Sequence, residues 1–141
     1  MSKDNVNKLE EGNQLLLDFS KLLKISRTHN NVIPVAVQDL ISKEIILIAY
    51  TNEKAFKHTI KTKIVTFWST SRNELWIKGT TSGNTFLIKK ILINCEQNSL
   101  VYLVEAKHGG ICHTSNRSGK PRNCYYRSLN LDTLELENLD P

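Results

Sequence analysis

The sequence predicts a small, mainly β domain of the α+β class, a β-meander with one or two helices. Three observations point there. Short runs rich in Val, Ile, Phe, Tyr and Trp recur through the middle of the chain, polar turn residues separate them in pairs, and only two stretches carry apolar residues at helical spacing. With 141 residues, 40% of them apolar and 23% charged, the chain is sized for one domain, or one plus a short extension, with a buried core.

Residues 8–25 place Leu9, Leu15, Leu16, Phe19, Leu22 and Leu23 at helix-like spacing with Lys21 and Lys24 opposite, so an amphipathic helix is expected, weakened in its first turn by Gly12. Polar residues from Ser26 to Asn31 read as a linker, and Pro34 suits the start of an edge strand. Val32–Asp39 and Glu44–Tyr50 are β-rich runs joined by Leu40-Ile41-Ser42-Lys43, which fits a hairpin. Asn52 is placed to cap a short helix through about Thr62, whose buried face would be Ala55, Phe56, Thr59 and Ile60. Ile64–Trp68 and Glu74–Lys78 form the next strand pair around Ser69–Asn73. Thr85–Ile93 and Leu100–Ala106 form another, with Cys95 just before the turn Glu96–Ser99. Beyond Lys107 the chain reads as irregular as far as Tyr125 and Tyr126.

Composition excludes several classes. The apolar content is too high and the charge too low for a disordered chain, no apolar run reaches the roughly 20 residues of a membrane span, and the first residues lack a secretory pattern. The expected compartment is cytoplasmic, with no membrane partner. The net charge of +5 is unevenly placed. Between Ala106 and Leu131 stand Lys107, Arg117, Lys120, Arg122 and Arg127 with no acid, whereas the last ten residues hold Asp132, Glu135, Glu137 and Asp140 with no base. Such a basic stretch suits a phosphorylated metabolite or nucleic acid, or is simply solvated.

Three cysteines, Cys95, Cys112 and Cys124, cannot all pair within one chain, so metal ligation, catalysis or burial accounts for them. Thiolates bind Zn²⁺ well, and three protein ligands leave a fourth position for water, the mark of a catalytic site. The spacing is not that of a zinc finger or ribbon, and scattered cysteines are often small buried hydrophobes. His113 adjoins Cys112, so in extended backbone it points the other way and suits proton transfer better than ligation; a surface or core histidine is the plain alternative. His29, His58 and His108 have no comparable neighbours. Lys78-Gly79-Thr80-Thr81-Ser82-Gly83-Asn84 combines a cation, hydroxyls and two glycines, as a phosphate-holding loop does, although it lacks the P-loop order and also reads as a tight turn. Ser69, Ser71 and Arg72 make a second polar turn suited to phosphate, flanked by Trp68 and Trp76.

Taken in order, Val37-Gln38-Asp39, Ala49-Tyr50, Phe67-Trp68-Ser69-Thr70-Ser71-Arg72, Leu75-Trp76-Ile77-Lys78-Gly79, Thr81-Ser82-Gly83-Asn84, Cys95, Cys112-His113-Thr114 and Cys124-Tyr125-Tyr126-Arg127 resemble phosphoribosyl-AMP cyclohydrolase of histidine biosynthesis. The resemblance spans roughly residues 32–129. It implies residues 1–31 as an N-terminal helical extension and linker, 32–129 as the cyclohydrolase-like domain and 130–141 as an acidic C-terminal tail. It also implies a meander or pseudo-barrel intertwined as a homodimer, with active sites at the interface and one Zn²⁺ per chain held by Cys95 of one copy and Cys112 and Cys124 of the other. The implied reaction is hydrolytic opening of the adenine ring of phosphoribosyl-AMP between N1 and C6. His113 is then the candidate proton carrier, and Ser71, Arg72, Lys78, Ser82 and Asn84 the candidate anchors of the two substrate phosphates.

Two departures stand out. The family usually has Asp-Cys-Asp-x-Asp around its first cysteine, with the aspartates binding Mg²⁺; here Asn94, Glu96 and Asn98 stand there. One carboxylate and two amides are expected to bind Mg²⁺ weakly unless substrate phosphate supplies the rest. The interval from Cys112 to Cys124 holds eleven residues, more than the family usually has, and either loops out or reshapes the pocket. Two other readings follow: a paralogue acting on or binding a different purine nucleotide, and a non-catalytic zinc-bearing protein using residues 107–127 to hold nucleotide or nucleic acid. Salt-sensitive binding to random oligonucleotides would favour the last; the leading reading expects no nucleic-acid partner.

Overall fold

A computed structural model describes residues 8–29, 31–78, 85–106, 115–120 and 122–141. In chain order they form helix α1 (Lys21–Thr28), strands β1 (Ile33–Asp39) and β2 (Ile45–Thr51), helix α2 (Glu53–Thr62), and strands β3 (Thr66–Ser69), β4 (Glu74–Ile77), β5 (Phe86–Ile93), β6 (Leu100–Ala106), β7 (Arg127–Leu129) and β8 (Leu136–Asn138). Among the described residues no helix is long and apolar enough to cross a membrane.

The three expected hairpins are present: β1 pairs with β2, β3 with β4, and β5 with β6, all antiparallel. The β1–β2 turn is closed by Asp39, whose Oδ1 accepts from the N–H groups of Ile41 (2.9 Å) and Ser42 (2.8 Å). One pairing departs from a simple meander. β1 lies parallel to β6, with Val35 opposite Leu100 and Val37 opposite Tyr102, which gives a four-stranded sheet in the order β2-β1-β6-β5. β6 is therefore central, and its consecutive residues Tyr102, Leu103 and Val104, which face opposite sides, are all buried.

The core gathers Val35 and Val37 of β1, Ile46 and Ala49 of β2, and Val65, Phe67, Phe86, Tyr102 and Val104. Phe67 stacks on Tyr102 at 6.4 Å between ring centroids and meets Trp76 at 5.4 Å, so the small β3–β4 sheet rests on the large one through aromatic contact. Helix α2 starts as the sequence predicts: Asn52 Oδ1 accepts from the Ala55 N–H at 2.9 Å. It ends at Lys63, which takes the left-handed conformation (φ 64°) and returns its N–H to Thr59. Ala55 and Thr59 are fully buried, and Thr59 Oγ1 bonds both the N–H and the carbonyl of Thr66, hooking the helix to β3. Ile60, expected on the buried face, is instead exposed.

The long N-terminal helix expected over residues 8–25 is interrupted. Residues 8–11 are helical, helix resumes only at Lys21, and the chain between is irregular. Two local causes act. A Cβ at Gly12 would fall 2.5 Å from the Lys8 carbonyl oxygen, so the chain turns closely there, and Asp18 Oδ1 accepts from the Ser20 N–H (2.9 Å) to start the second helix afresh. The intervening residues pair elsewhere: Gln14 forms a β-bridge with Glu135, and the Leu136 N–H donates to the Asn13 carbonyl at 2.7 Å. Much of the segment read as an acidic tail is thus folded, since Leu136–Asn138 returns along Arg127–Leu129 as a hairpin.

Candidate active site

The two described cysteines lie on segments of different kinds. Cys95 follows β5 in the turn Asn94–Ser99, where it is exposed. Asn94 organises that turn. Its Oδ1 accepts from the N–H groups of Asn98 (2.9 Å) and Ser99 (3.0 Å), its Nδ2 donates to Asn98 Oδ1 (2.6 Å), and Asn98 Nδ2 donates to Glu96 Oε2 (3.1 Å). Gln97 takes a positive φ of 55°, which completes the reversal.

Cys124, also exposed, runs beside the outer edge of β2. Its N–H donates to the Ile46 carbonyl at 3.2 Å, and Asn123 Nδ2 donates to the Ile45 carbonyl at 2.7 Å. Arg122 and Tyr126 bracket the cysteine. Arg122 is only 3% exposed, lays its guanidinium over the Tyr126 ring at 3.6 Å from the centroid, and donates to Glu11 and, at 3.2 Å, to the Asp140 carbonyl. Tyr126 donates its hydroxyl to the Glu10 carbonyl, and Arg127 Nη1 donates to the Gly12 carbonyl at 3.0 Å. A hollow of about 240 Å³ opens beside Cys124, walled by Leu9, Leu15, Leu16, Leu17, Tyr125 and Leu136 among others. Burial pushes the Tyr125 phenol above its usual range, and the neighbouring Cys124 adds to the shift.

The sheet order sets the relation between the two thiols. Cys124 flanks β2 and Cys95 follows β5, and these are the opposite edges of the sheet. Three strand spacings separate those edges, about 14 Å across. Two thiolates on one zinc lie within about 4.6 Å, twice the zinc–sulfur distance. Among the described residues no three His, Cys, Asp or Glu side chains gather into a metal-binding group.

Comparison with known proteins identifies the scaffold. The family model for phosphoribosyl-AMP cyclohydrolase matches residues 47–126, more than half of the chain. The chain belongs to the phosphoribosyl-AMP cyclohydrolase family. A phosphoribosyl-AMP cyclohydrolase of Archaeoglobus fulgidus is 43% identical over 110 residues, covering 78% of this chain and 96% of that one. One of Cenarchaeum symbiosum is 46% identical over 113 residues, 80% of this chain and 93% of the relative. A bifunctional histidine-biosynthesis protein of Caldanaerobacter subterraneus is 43% identical over 102 residues, 72% of this chain but 47% of the relative.

The site residues expected of a cyclohydrolase fall into three groups. Cys112, His113, Ser82 and Asn84 lie outside the described residues. Ser71 and Arg72 stand exposed on the β3–β4 turn, where Ser69 Oγ accepts from the N–H and Nε of Arg72 (3.3 Å each) and Arg72 Nη1 pairs with Glu74 at 3.5 Å. Lys78 is buried at the end of β4, its ammonium 5.0 Å from the centroid of the Phe86 ring. His29 and His58, given no role from sequence, bond Asn73 (3.1 Å) and Thr66 (2.8 Å) and tie helix to sheet.

The two metals implied by the cyclohydrolase resemblance fare differently. Exposed thiols suit Zn²⁺ as soft donors, and Cys95 and Cys124 stand at opposite edges of the sheet. The Asn94–Asn98 turn does not suit Mg²⁺. Both amide oxygens and one Glu96 oxygen already accept hydrogen bonds, and Glu96 is the single carboxylate beside two amides, a poor match for an ion that favours hard carboxylate oxygens. Sequence reasoning missed Glu11, Tyr126 and Arg127 as supports of Cys124. The spacing of Arg122 and Tyr126 about the cysteine was a weak signal, and Glu11, 111 positions from Arg122, gave none.

Proposed function

We propose that the chain is a zinc-dependent hydrolase opening the adenine ring of phosphoribosyl-AMP between N1 and C6, to give the phosphoribosyl-formimino carboxamide ribotide of histidine biosynthesis. The family match over residues 47–126 carries this reading, and the placement of Cys95 and Cys124 at opposite edges of the sheet supports a homodimer in which Cys95 of one copy joins Cys124 of the other, with Cys112 as the third ligand. Bound there, zinc supplies a water of lowered pKa near an electrophilic ring carbon. His113 moves the proton from water to the leaving N1, a task suited to a side chain titrating near neutral pH. Ser71 and Arg72 on their exposed turn, with Lys78, Ser82 and Asn84, hold the two phosphates, and Arg72 offers the planar fork that matches a phosphate edge. The scheme assigns no Mg²⁺ to the Asn94–Asn98 turn, which offers one carboxylate and two amides to an ion that favours carboxylate oxygens.

The test is turnover of phosphoribosyl-AMP by zinc-loaded protein, followed by the ultraviolet change as the purine opens, with and without added Mg²⁺. Turnover independent of Mg²⁺ is expected. A folded, zinc-replete dimer that leaves the substrate unchanged would refute the assignment.

A further inference from the structure

Resting on the zinc reading above, the geometry points to a role for the N-terminal segment in metal binding: we infer that residues 9–17, anchored by Glu11 on Arg122, hold Cys124 in place as a preorganised zinc ligand. Cys124 is exposed, yet the residues two before and two after it are both buried. Arg122 and Tyr126 are joined to each other by the guanidinium–ring stack, so the backbone carrying the thiol is a short loop pinned at both ends. One side of that loop is fixed to β2 by the bonds from Asn123 and Cys124. The other is fixed by Glu11 on Arg122, the Glu10 carbonyl on Tyr126 and the Gly12 carbonyl on Arg127. Three consecutive residues of the N-terminal segment therefore grip three residues around the cysteine.

The longer interval before Cys124 joins the same assembly. Asn116 Oδ1 accepts from the Lys120 N–H at 2.9 Å, folding residues 116–120 into a turn, and Asn116 Nδ2 reaches Asp140 at 3.0 Å while Arg122 takes the Asp140 carbonyl. Asn116 and Arg122, both within that interval, thus link it to Asp140 and to Glu11. A ligand whose position is fixed before the metal arrives loses less freedom on binding it, and outer partners of metal ligands commonly govern affinity about 10–100-fold. Glu11 and Arg122 are positioning residues in this scheme; neither needs to touch the metal.

The experiment is chelator competition for zinc, with the thiolate-to-cobalt charge-transfer band of the Co²⁺-substituted protein as a second readout, on wild type, Glu11→Ala, Arg122→Lys and, as control, Glu105→Gln. Glu11→Ala and Arg122→Lys should release zinc about tenfold more readily and shift or weaken the band. Glu105→Gln, which removes an exposed pair with Lys89, should leave both unchanged. Should Glu11→Ala fail to fold, Glu11→Gln keeps the shape and an acceptor oxygen and removes only the charge; a smaller loss of affinity, about threefold, is then expected. Zinc affinity and cobalt band unaltered in variants that lose only melting temperature would overturn the inference, leaving the zinc reading intact. A wild-type chain that takes up no zinc would overturn that reading and this inference with it.

Discussion

The Cys95 turn and the Cys124 segment present the same side chain in opposite ways. Around Cys95 the supporting hydrogen bonds connect residues within five positions of one another, and Asn94 is the organiser. Around Cys124 the supports come from afar, from β2, 78 positions away, and from Glu10, Glu11 and Gly12, more than a hundred positions away. A locally closed turn keeps its geometry as long as its own residues are present. A segment held from afar depends on the chain end that grips it, and so can be loosened without touching the cysteine.

The strongest break in the comparison is to remove either thiol. Cys95→Ser and Cys124→Ser should each abolish zinc binding and take turnover below detection, although one turn is local and the other is not; retention of zinc by either variant would remove that residue from the metal site. Mixing tests how the two edges meet. In a verified heterodimer of Cys95→Ala with Cys124→Ala chains, one of the two interfacial sites is intact, so about half of the wild-type activity should return. Absence of recovery would mean that each site is built within one chain.

A gain of function sharpens the contrast next. Asn94→Asp together with Asn98→Asp replaces two amides by carboxylates, removing the two side-chain N–H donors that bond Asn98 and Glu96 and leaving oxygens that repel one another unless a cation intervenes. Calorimetric titration should show saturable Mg²⁺ binding in the double variant and none in the wild type. Saturable binding by the wild type would refute the claim that the turn is closed to the ion.

How far these regions were legible in the sequence follows from the same distinction. The hairpins β1–β2, β3–β4 and β5–β6 were readable because alternation, turn residues and partner strand all lie close together in the chain. The Asn52 cap was readable for the same reason. The parallel pairing of β1 with β6 was not, since it joins strands separated by most of the domain. The helix predicted over residues 8–25 failed because Leu9, Leu15 and Leu16, counted on its apolar face, line the hollow beside Cys124 instead; tertiary contacts overrode the local period. At the site, the three cysteines and their chemistry were visible, whereas the Glu11–Arg122 link needed the fold to bring the two together.

The smallest expected effect compares two locally closed turns that differ in chemistry. Asp39 closes the β1–β2 turn as Asn94 closes the Cys95 turn, by accepting two backbone N–H bonds, but with a carboxylate. The bond from the Ser42 N–H leads in holding the Asp39 carboxyl below its ordinary value, with Ile41 adding to it and partial burial opposing both. Because the folded pKa is depressed, the unfolded chain binds more protons in this range. The contribution is therefore complete above the unfolded value near 4 and fades as pH falls through the lower folded value. Asp39→Asn keeps an acceptor oxygen and cannot titrate, so it should flatten the loss of stability below about pH 4 while changing little at pH 7. Denaturant unfolding of both proteins between pH 2.5 and 7 measures this directly, and parallel profiles throughout would show that the Asp39 carboxylate contributes nothing to the turn beyond what an amide supplies.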